Sequence, residues 1–167
     1  MRRAGLGPAL LQRSSVGAGH ARPLRQHSWH SRRVEFHRGR LFDHVHLRVG
    51  DLESSRRFYE AALGSLGIEL HGGEGYFWAD ELFVSDDGPP TERLHLAFQT
   101  EDEDAVRRFH AAAIDAGGQD NGAPGERAYH PGYYAAYVLD PDGNNVEAVY
   151  HGPARRSAPS VVVTPED

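Results

Sequence analysis

The stretch Phe42-Asp-His-Val-His-Leu-Arg-Val49, followed by Gly50, Asp51 and the run Leu52-Glu-Ser-Ser-Arg-Arg-Phe-Tyr-Glu-Ala-Ala-Leu63, decides the fold. Its first part alternates, with Val45, Leu47 and Val49 on one face and His44 and His46 on the other, the period of a half-buried strand. Asp51 stands where a helix N-cap belongs. Phe58, Ala62 and Leu63 then supply an apolar stripe at helical spacing, and Gly64 and Gly67 end it. Sliding the chain along itself by 51 residues repeats this unit without a gap: His44 falls on His95, Asp51 on Asp102, Arg56 and Arg57 on Arg107 and Arg108, Phe58 on Phe109, and Ala61 on Ala112. In the second copy His95, Ala97 and Gln99 face one way. Asp102 opens a helix in which Val106, Phe109, Ala113 and Ala116 face the core, and Gly117 and Gly118 end it.

Short strand-like pieces follow each helix: Ile68 to His71, Tyr76 to Trp78 and Leu82 to Ser85 in the first copy, Tyr133 to Leu139 and Asn145 to Tyr150 in the second. Asp140-Pro-Asp-Gly143 between the last two is a strong hairpin-turn signal. Each half reads β, α, then several β, and neither buries its sheet alone. The expected fold is therefore α+β, two paired βαβββ modules forming a curved mixed sheet with helices outside. The modules span about 40–90 and 91–151 of one domain at residues 40–151.

Composition narrows the chemistry. The 167 residues suffice for one domain with a hydrophobic core. No apolar stretch approaches the ~20 residues of a membrane span, so a cytoplasmic, non-membrane protein is expected. There is no cysteine, which removes disulfides, thiolate metal sites and cysteine nucleophiles and leaves His and carboxylates as metal ligands. All 18 basic residues are Arg, so lysine Schiff bases and phosphate-loop lysines are also absent.

Charge is uneven: residues 1–40 carry about +8 and residues 41–167 about −14. The basic arm, residues 1–39, has no sustained apolar period and is expected to be disordered. Its Arg-rich, acid-poor character resembles a transit peptide, and a nucleic-acid tail is a further alternative, but the reading favoured is an over-long start in a GC-rich frame, since Arg, Gly, Ala and Pro dominate and Met1 is the only methionine. The missing aromatic-basic interleaving argues against RNA binding, and no nucleic-acid partner is expected. Residues 152–167 are expected to form a flexible tail.

His44 and His95 hold equivalent positions on the first strand of each half, so pseudo-symmetry places them across one concave surface. An inward Glu147 on the last strand would complete two His and one carboxylate, a facial triad with open positions for substrate, water or dioxygen. The ordinary alternative is that these are unremarkable members of a set of eleven His.

The segments Phe42 to Tyr59, Leu94-His-Leu-Ala-Phe98 and Tyr133 to Glu147, the last containing Asp140-Pro-Asp-Gly-Asn144, together resemble the vicinal oxygen chelate superfamily. That superfamily includes glyoxalase I, extradiol dioxygenases, fosfomycin-resistance transferases and bleomycin-binding proteins. The resemblance covers roughly residues 40–151 and implies paired βαβββ modules around a cupped site for one divalent metal (Fe, Mn, Zn, Ni or Mg), with His44, His95 and Glu147 as ligands. His46 competes with His44. Glyoxalase I adds a fourth ligand, for which Glu81 and Phe83 offer no clear match, so the three-ligand pattern is closer to the dioxygenase and fosfomycin-transferase branches. Tyr137, ten residues before Glu147, matches the spacing of an active-site Tyr in extradiol dioxygenases, and His130 would serve as a proton shuttle. Trp78, Phe83, Tyr133 and Tyr134, with Phe77 nearby, are candidates for a substrate pocket, packing being the alternative. The resemblance implies a small metalloenzyme, dioxygenase-like or lyase-like, acting on a small molecule with neighbouring oxygens. The alternative is a non-catalytic sequestering module of the bleomycin-resistance type. The site would be completed within one chain or across a homodimer.

Overall fold

The computed structural model describes residues 36–38, 42–153 and 161–163. Most of the arm and tail that the sequence reading leaves unstructured lies outside the described residues. Within them, Phe36–Arg38 (β1) pairs antiparallel with Val161–Val163 (β10).

The first half runs Val45–Arg48 (β2), Leu52–Gly64 (α1), His71–Gly73 (β3), Tyr76–Ala79 (β4) and Leu82–Ser85 (β5). The second runs His95–Gln99 (β6), Glu103–Asp115 (α2), Gln119–Glu126 (β7), Tyr134–Leu139 (β8) and Asn145–Tyr150 (β9). Both are βαβββ. They form two four-stranded mixed sheets of identical topology, ordered β2-β5-β4-β3 and β6-β9-β8-β7, with the first and last strand of each half paired parallel.

The helices start where their caps dictate. Asp51 Oδ1 accepts the backbone N–H groups of Glu53 and Ser54, each at 3.1 Å. Asp102 Oδ1 accepts that of Ala105 at 2.7 Å. Glu53, and Glu103 with Asp104, put negative charge at the positive end of each helix dipole. Past the C-termini, Gly67 (φ +79) and Gly117 (φ +99) take the left-handed conformation that lets the chain leave the helix.

α1 and α2 pack on each other, and one core joins Phe58, Tyr59, Ala62 and Leu63 of α1, Val106, Phe109 and Ala113 of α2, and one face of each sheet. On the first sheet that face carries Leu47, Phe77, Ala79, Leu82 and Val84; on the second, Ala136, Val138, Val146 and Ala148. Strand alternation then turns the other residues of each sheet away from the helices. Along β6, His95, Ala97 and Gln99 are exposed while Leu96 and Phe98 are half-buried against the core.

Within the two halves, two strands depart from the sequence reading: β3 lies at His71–Gly73 where Ile68 to His71 is expected, and β7 has no signal in the sequence. β7 reads Gln-Asp-Asn-Gly-Ala-Pro-Gly-Glu, turn residues throughout, yet it pairs with β8 through two register shifts. It is an edge strand, where Pro124 need not donate to a neighbour and the bulges accommodate Gly122 and Gly125.

Candidate functional site

The outward face of the second sheet holds the chain's most distinctive polar arrangement. β6 and β9 run parallel, with Ala97 opposite Glu147, so His95, two residues before Ala97, is the next same-face position on the adjacent strand. Its Nε2 lies 2.8 Å from Glu147 Oε2. The Glu147 side chain is only 3% exposed, whereas that of His95 is 53% exposed, so the imidazole stands between a buried carboxylate and solvent. The second carboxylate oxygen, Oε1, accepts the Tyr133 hydroxyl at 2.6 Å. An ionised carboxylate without partners at this depth would be costly; here each oxygen has one.

Tyr137, opposite Glu147 on β8, meets the His95 ring edge-to-face with centroids 6.2 Å apart, and the Arg127 guanidinium lies over the Tyr137 ring at 5.2 Å. Burial and the nearby Glu147 charge raise the Tyr137 hydroxyl above its ordinary pKa. Tyr133 is pushed up further, by burial, its bond to Glu147 and the same negative charge. Both phenols are therefore neutral hydrogen-bond donors at physiological pH.

His130 lies one shell out. Its Nε2 is 3.0 Å from His151 Nδ1, with the two rings stacked at 17°, and its Nδ1 is 3.0 Å from the Pro131 carbonyl. It meets the ring of Tyr133, the hydrogen-bond partner of Glu147, edge-to-face at 5.3 Å. Tyr134 points the opposite way, packing against the core beneath Arg107 of α2, whose guanidinium lies 4.9 Å from its ring centroid.

The remaining residues singled out from sequence belong to the first sheet. His44 is exposed just before β2, with Nδ1 2.8 Å from Asp43. Trp78 and Phe83 lie on the outward face of that sheet in a single register row, His71–Trp78–Phe83–His46, one residue per strand. His71 and Trp78 rings are 4.7 Å apart, Phe83 and His46 5.0 Å, and Tyr76 stacks on Phe83 at 5.6 Å. Phe77 is fully buried on the other face. His46 Nε2 bonds the Ser85 hydroxyl at 2.9 Å, and Ser85 in turn donates to Asp87, which pairs with Arg48. Burial, then the Arg48 charge, lower the His46 pKa.

The His95–Glu147 pair has the spacing of neighbouring ligands. Two donors ~2.1 Å from one cation at roughly a right angle lie ~3 Å apart. A cation would displace the proton now shared between Nε2 and Oε2. One imidazole nitrogen and one carboxylate oxygen suit the borderline divalent ions. Among the described residues no three His, Asp or Glu converge on one point, and His44 does not join His95 and Glu147 within the chain.

Fold and site together define a protein of duplicated βαβββ modules with a histidine–carboxylate pair on an open sheet face. The family model described as Glyoxalase/Bleomycin resistance protein/Dioxygenase superfamily matches residues 41–148, and the chain belongs to that superfamily. No curated protein matches it. Among solved structures, it is similar to a glyoxalase/bleomycin resistance protein from Albidiferax ferrireducens, with 33% identity over 65% of this chain and 97% of that one and a TM-score of 0.59. A glyoxalase-related enzyme from Fulvimarina pelagi shares the fold at 22% identity, covering 77% and 100% of the two chains, with a TM-score of 0.58. A glyoxalase/bleomycin resistance protein/dioxygenase family enzyme from Burkholderia phytofirmans does so at 20%, covering 64% and 95%, with a TM-score of 0.52.

Proposed function

We propose that the chain is a divalent-metal-dependent enzyme of this superfamily, dioxygenase-like or lyase-like, acting on a small molecule that presents two neighbouring oxygens. The observation that carries the reading is the buried Glu147 carboxylate bonded to His95 across β6 and β9, on a sheet face that neither helix covers. His95 and Glu147 would hold the cation. His44, in the other half and outside the pair, is the third ligand, and it would come from a second copy of the chain. A bound cation would supply Lewis-acid stabilisation of charge developing on the two substrate oxygens. Around it, Tyr137 offers a neutral hydroxyl and an aromatic edge to orient the substrate. His130 and His151 offer exposed imidazoles for proton exchange with solvent.

Elemental analysis of protein purified without a metal-binding tag tests this. The expected result is near-stoichiometric metal in the wild type and loss in His95→Ala, Glu147→Ala and His44→Ala. Co-expressing His44→Ala with Glu147→Ala distinguishes a shared site, because a mixed dimer regains one intact set and hence part of the metal. Iron or manganese would direct assays to catechol-type ring cleavage, nickel or zinc to lyase or isomerase chemistry. Metal retained in all single variants would overturn the assignment.

A second reading, a sequestering module, is favoured by the half-buried row of His71, Trp78, Phe83 and His46, with Tyr76 stacked beside it. Such a platform takes a planar ligand by ring stacking. Metal-free protein that binds an aromatic compound, and loses it in Trp78→Ala, would establish this reading instead.

A further inference from the structure

The two oxygens of Glu147 lie in different surroundings. Oε2 meets a half-exposed imidazole that a cation can replace as partner, whereas Oε1 is closed off by Tyr133 at 2.6 Å. A free carboxylate can chelate a cation through one oxygen or both. We propose that Tyr133 is a positioning residue that commits Glu147 to single-oxygen binding: its hydroxyl holds Oε1 and leaves Oε2, beside His95 Nε2, as the one oxygen offered to a cation. The inference rests on the cation-site reading above and replaces the expectation that Tyr133 binds substrate.

The position of Tyr133 is built. Three rings meet it edge-on: Tyr129 at 4.9 Å, His130 at 5.3 Å and His151 at 5.0 Å, with interplanar angles of 66°, 77° and 89°. Its backbone closes the preceding turn at both ends, with Arg127 N–H donating to the Tyr133 carbonyl at 2.8 Å and Tyr133 N–H to the His130 carbonyl at 3.1 Å. The His130–His151 bond ties that turn to the segment after β9. These ring contacts and backbone bonds restrain rotation of the phenol away from Glu147, which favours the hydroxyl staying on Oε1. The geometric consequence is an unfilled coordination position where the second oxygen would otherwise bind, which a substrate oxygen can take.

Equilibrium dialysis of tag-free protein with Co(II) and Zn(II), together with the visible absorption of the cobalt form, tests the proposal. Tyr133→Phe keeps the ring in its enclosure and removes only the hydroxyl. It is expected to bind either ion about 10–100-fold more weakly, as loss of an outer partner to a metal ligand does, and to shift the cobalt bands as the freed oxygen enters the coordination sphere. Tyr150→Phe, which removes a hydroxyl from β9 at a core-packed ring away from both Glu147 bonds, is expected to keep the wild-type affinity and spectrum. His151→Ala opens one side of the enclosure without touching Glu147 and is expected to weaken binding in the same direction, so the question stays answerable if Tyr133→Phe does not fold. Unchanged affinity and bands in Tyr133→Phe and His151→Ala would overturn the positioning role and leave the cation site standing. A folded wild type that takes up neither ion would overturn both.

Discussion

At Asp51 the carboxylate accepts two backbone N–H groups and the Ser54 hydroxyl, and these bonds, the Ser54 N–H foremost, hold its pKa below the ordinary value of 3.8. A depressed carboxylate pKa stabilises the fold above the unfolded value, and the contribution fades as pH falls through the folded one. Asp51→Ala is therefore expected to lower the melting temperature by a few degrees near neutrality, with the difference from wild type narrowing as pH falls below the ordinary carboxylate value. A melting series from pH 7 to pH 2.5 checks this; a gap that persists unchanged in acid would mean that the carboxylate charge is irrelevant to the cap. Strand parity put His95 and Glu147 on one sheet face, and the sequence reading joined them to His44; among the described residues His95 meets Glu147 while His44 lies outside the pair, because equivalent positions in two separate sheets need not converge within one chain. Parity did not reach the role of Tyr133. The residue sits just before β8, where strand parity stops and loop geometry decides the direction of the side chain.

The elements were readable wherever periodicity and punctuation coincide. Both helices begin at the expected Asp caps and end before a left-handed glycine. β7 escaped because an edge strand with bulges can be written in turn residues. The glycines that follow the helices also differ in a way that sequence does not reveal. Gly118 is packed so tightly that an added Cβ would lie 2.5 Å from Val138 Cγ1, 2.6 Å from Phe58 Cε2 and 2.8 Å from the Ala113 carbonyl, whereas Gly64, at the end of α1, faces open space. Gly118→Ala is expected to cost about 1–3 kcal/mol through overpacking. Gly64→Ala is expected to be neutral or to stabilise by up to ~1 kcal/mol, since alanine loses less backbone entropy in a helix. Urea titrations of the two variants check the contrast. Equal effects would mean that this junction relaxes freely.

Across the whole molecule, the turn between β8 and β9 does more than reverse the chain. Asp140, 5% exposed, accepts the Asn144 and Asp142 N–H groups on Oδ1 and the Tyr59 hydroxyl of α1 at 2.9 Å on Oδ2. Asn144, also buried, accepts the Leu94 N–H and donates to the Thr91 carbonyl, while Asp142 accepts the Gly50 N–H. A turn in the second half thus fastens the helix, the loop before it and the linker of the first. Burial and the Asp140 charge push the Tyr59 hydroxyl well above its usual pKa, so it is a neutral donor to Asp140 near neutral pH. Tyr59→Phe is expected to cost about 1–3 kcal/mol, because it leaves a buried carboxylate short of one partner. Asn144→Ala should cost more, stripping the Leu94 N–H and the Thr91 carbonyl together. Both should keep a single unfolding transition, whereas two transitions in Asn144→Ala would show the halves coming apart. The Asp-Pro-Asp-Gly motif announced the turn but not these ties, since its partners are up to 92 residues away in sequence.

The tie through Tyr59 also bears on how the two halves have diverged. The residue 51 positions after Tyr59 is His110, and it bonds Asp120 on the edge strand of its own half at 3.0 Å, not the other half. A chain assembled from two copies of the second half would carry an imidazole at both places, each committed locally, and Asp140 would lose its phenol. The halves are thus complementary rather than interchangeable. Shuffling or tandem recombination between them should be tolerated only where Tyr59 and the Asp140 turn travel to opposite ends of the same chain.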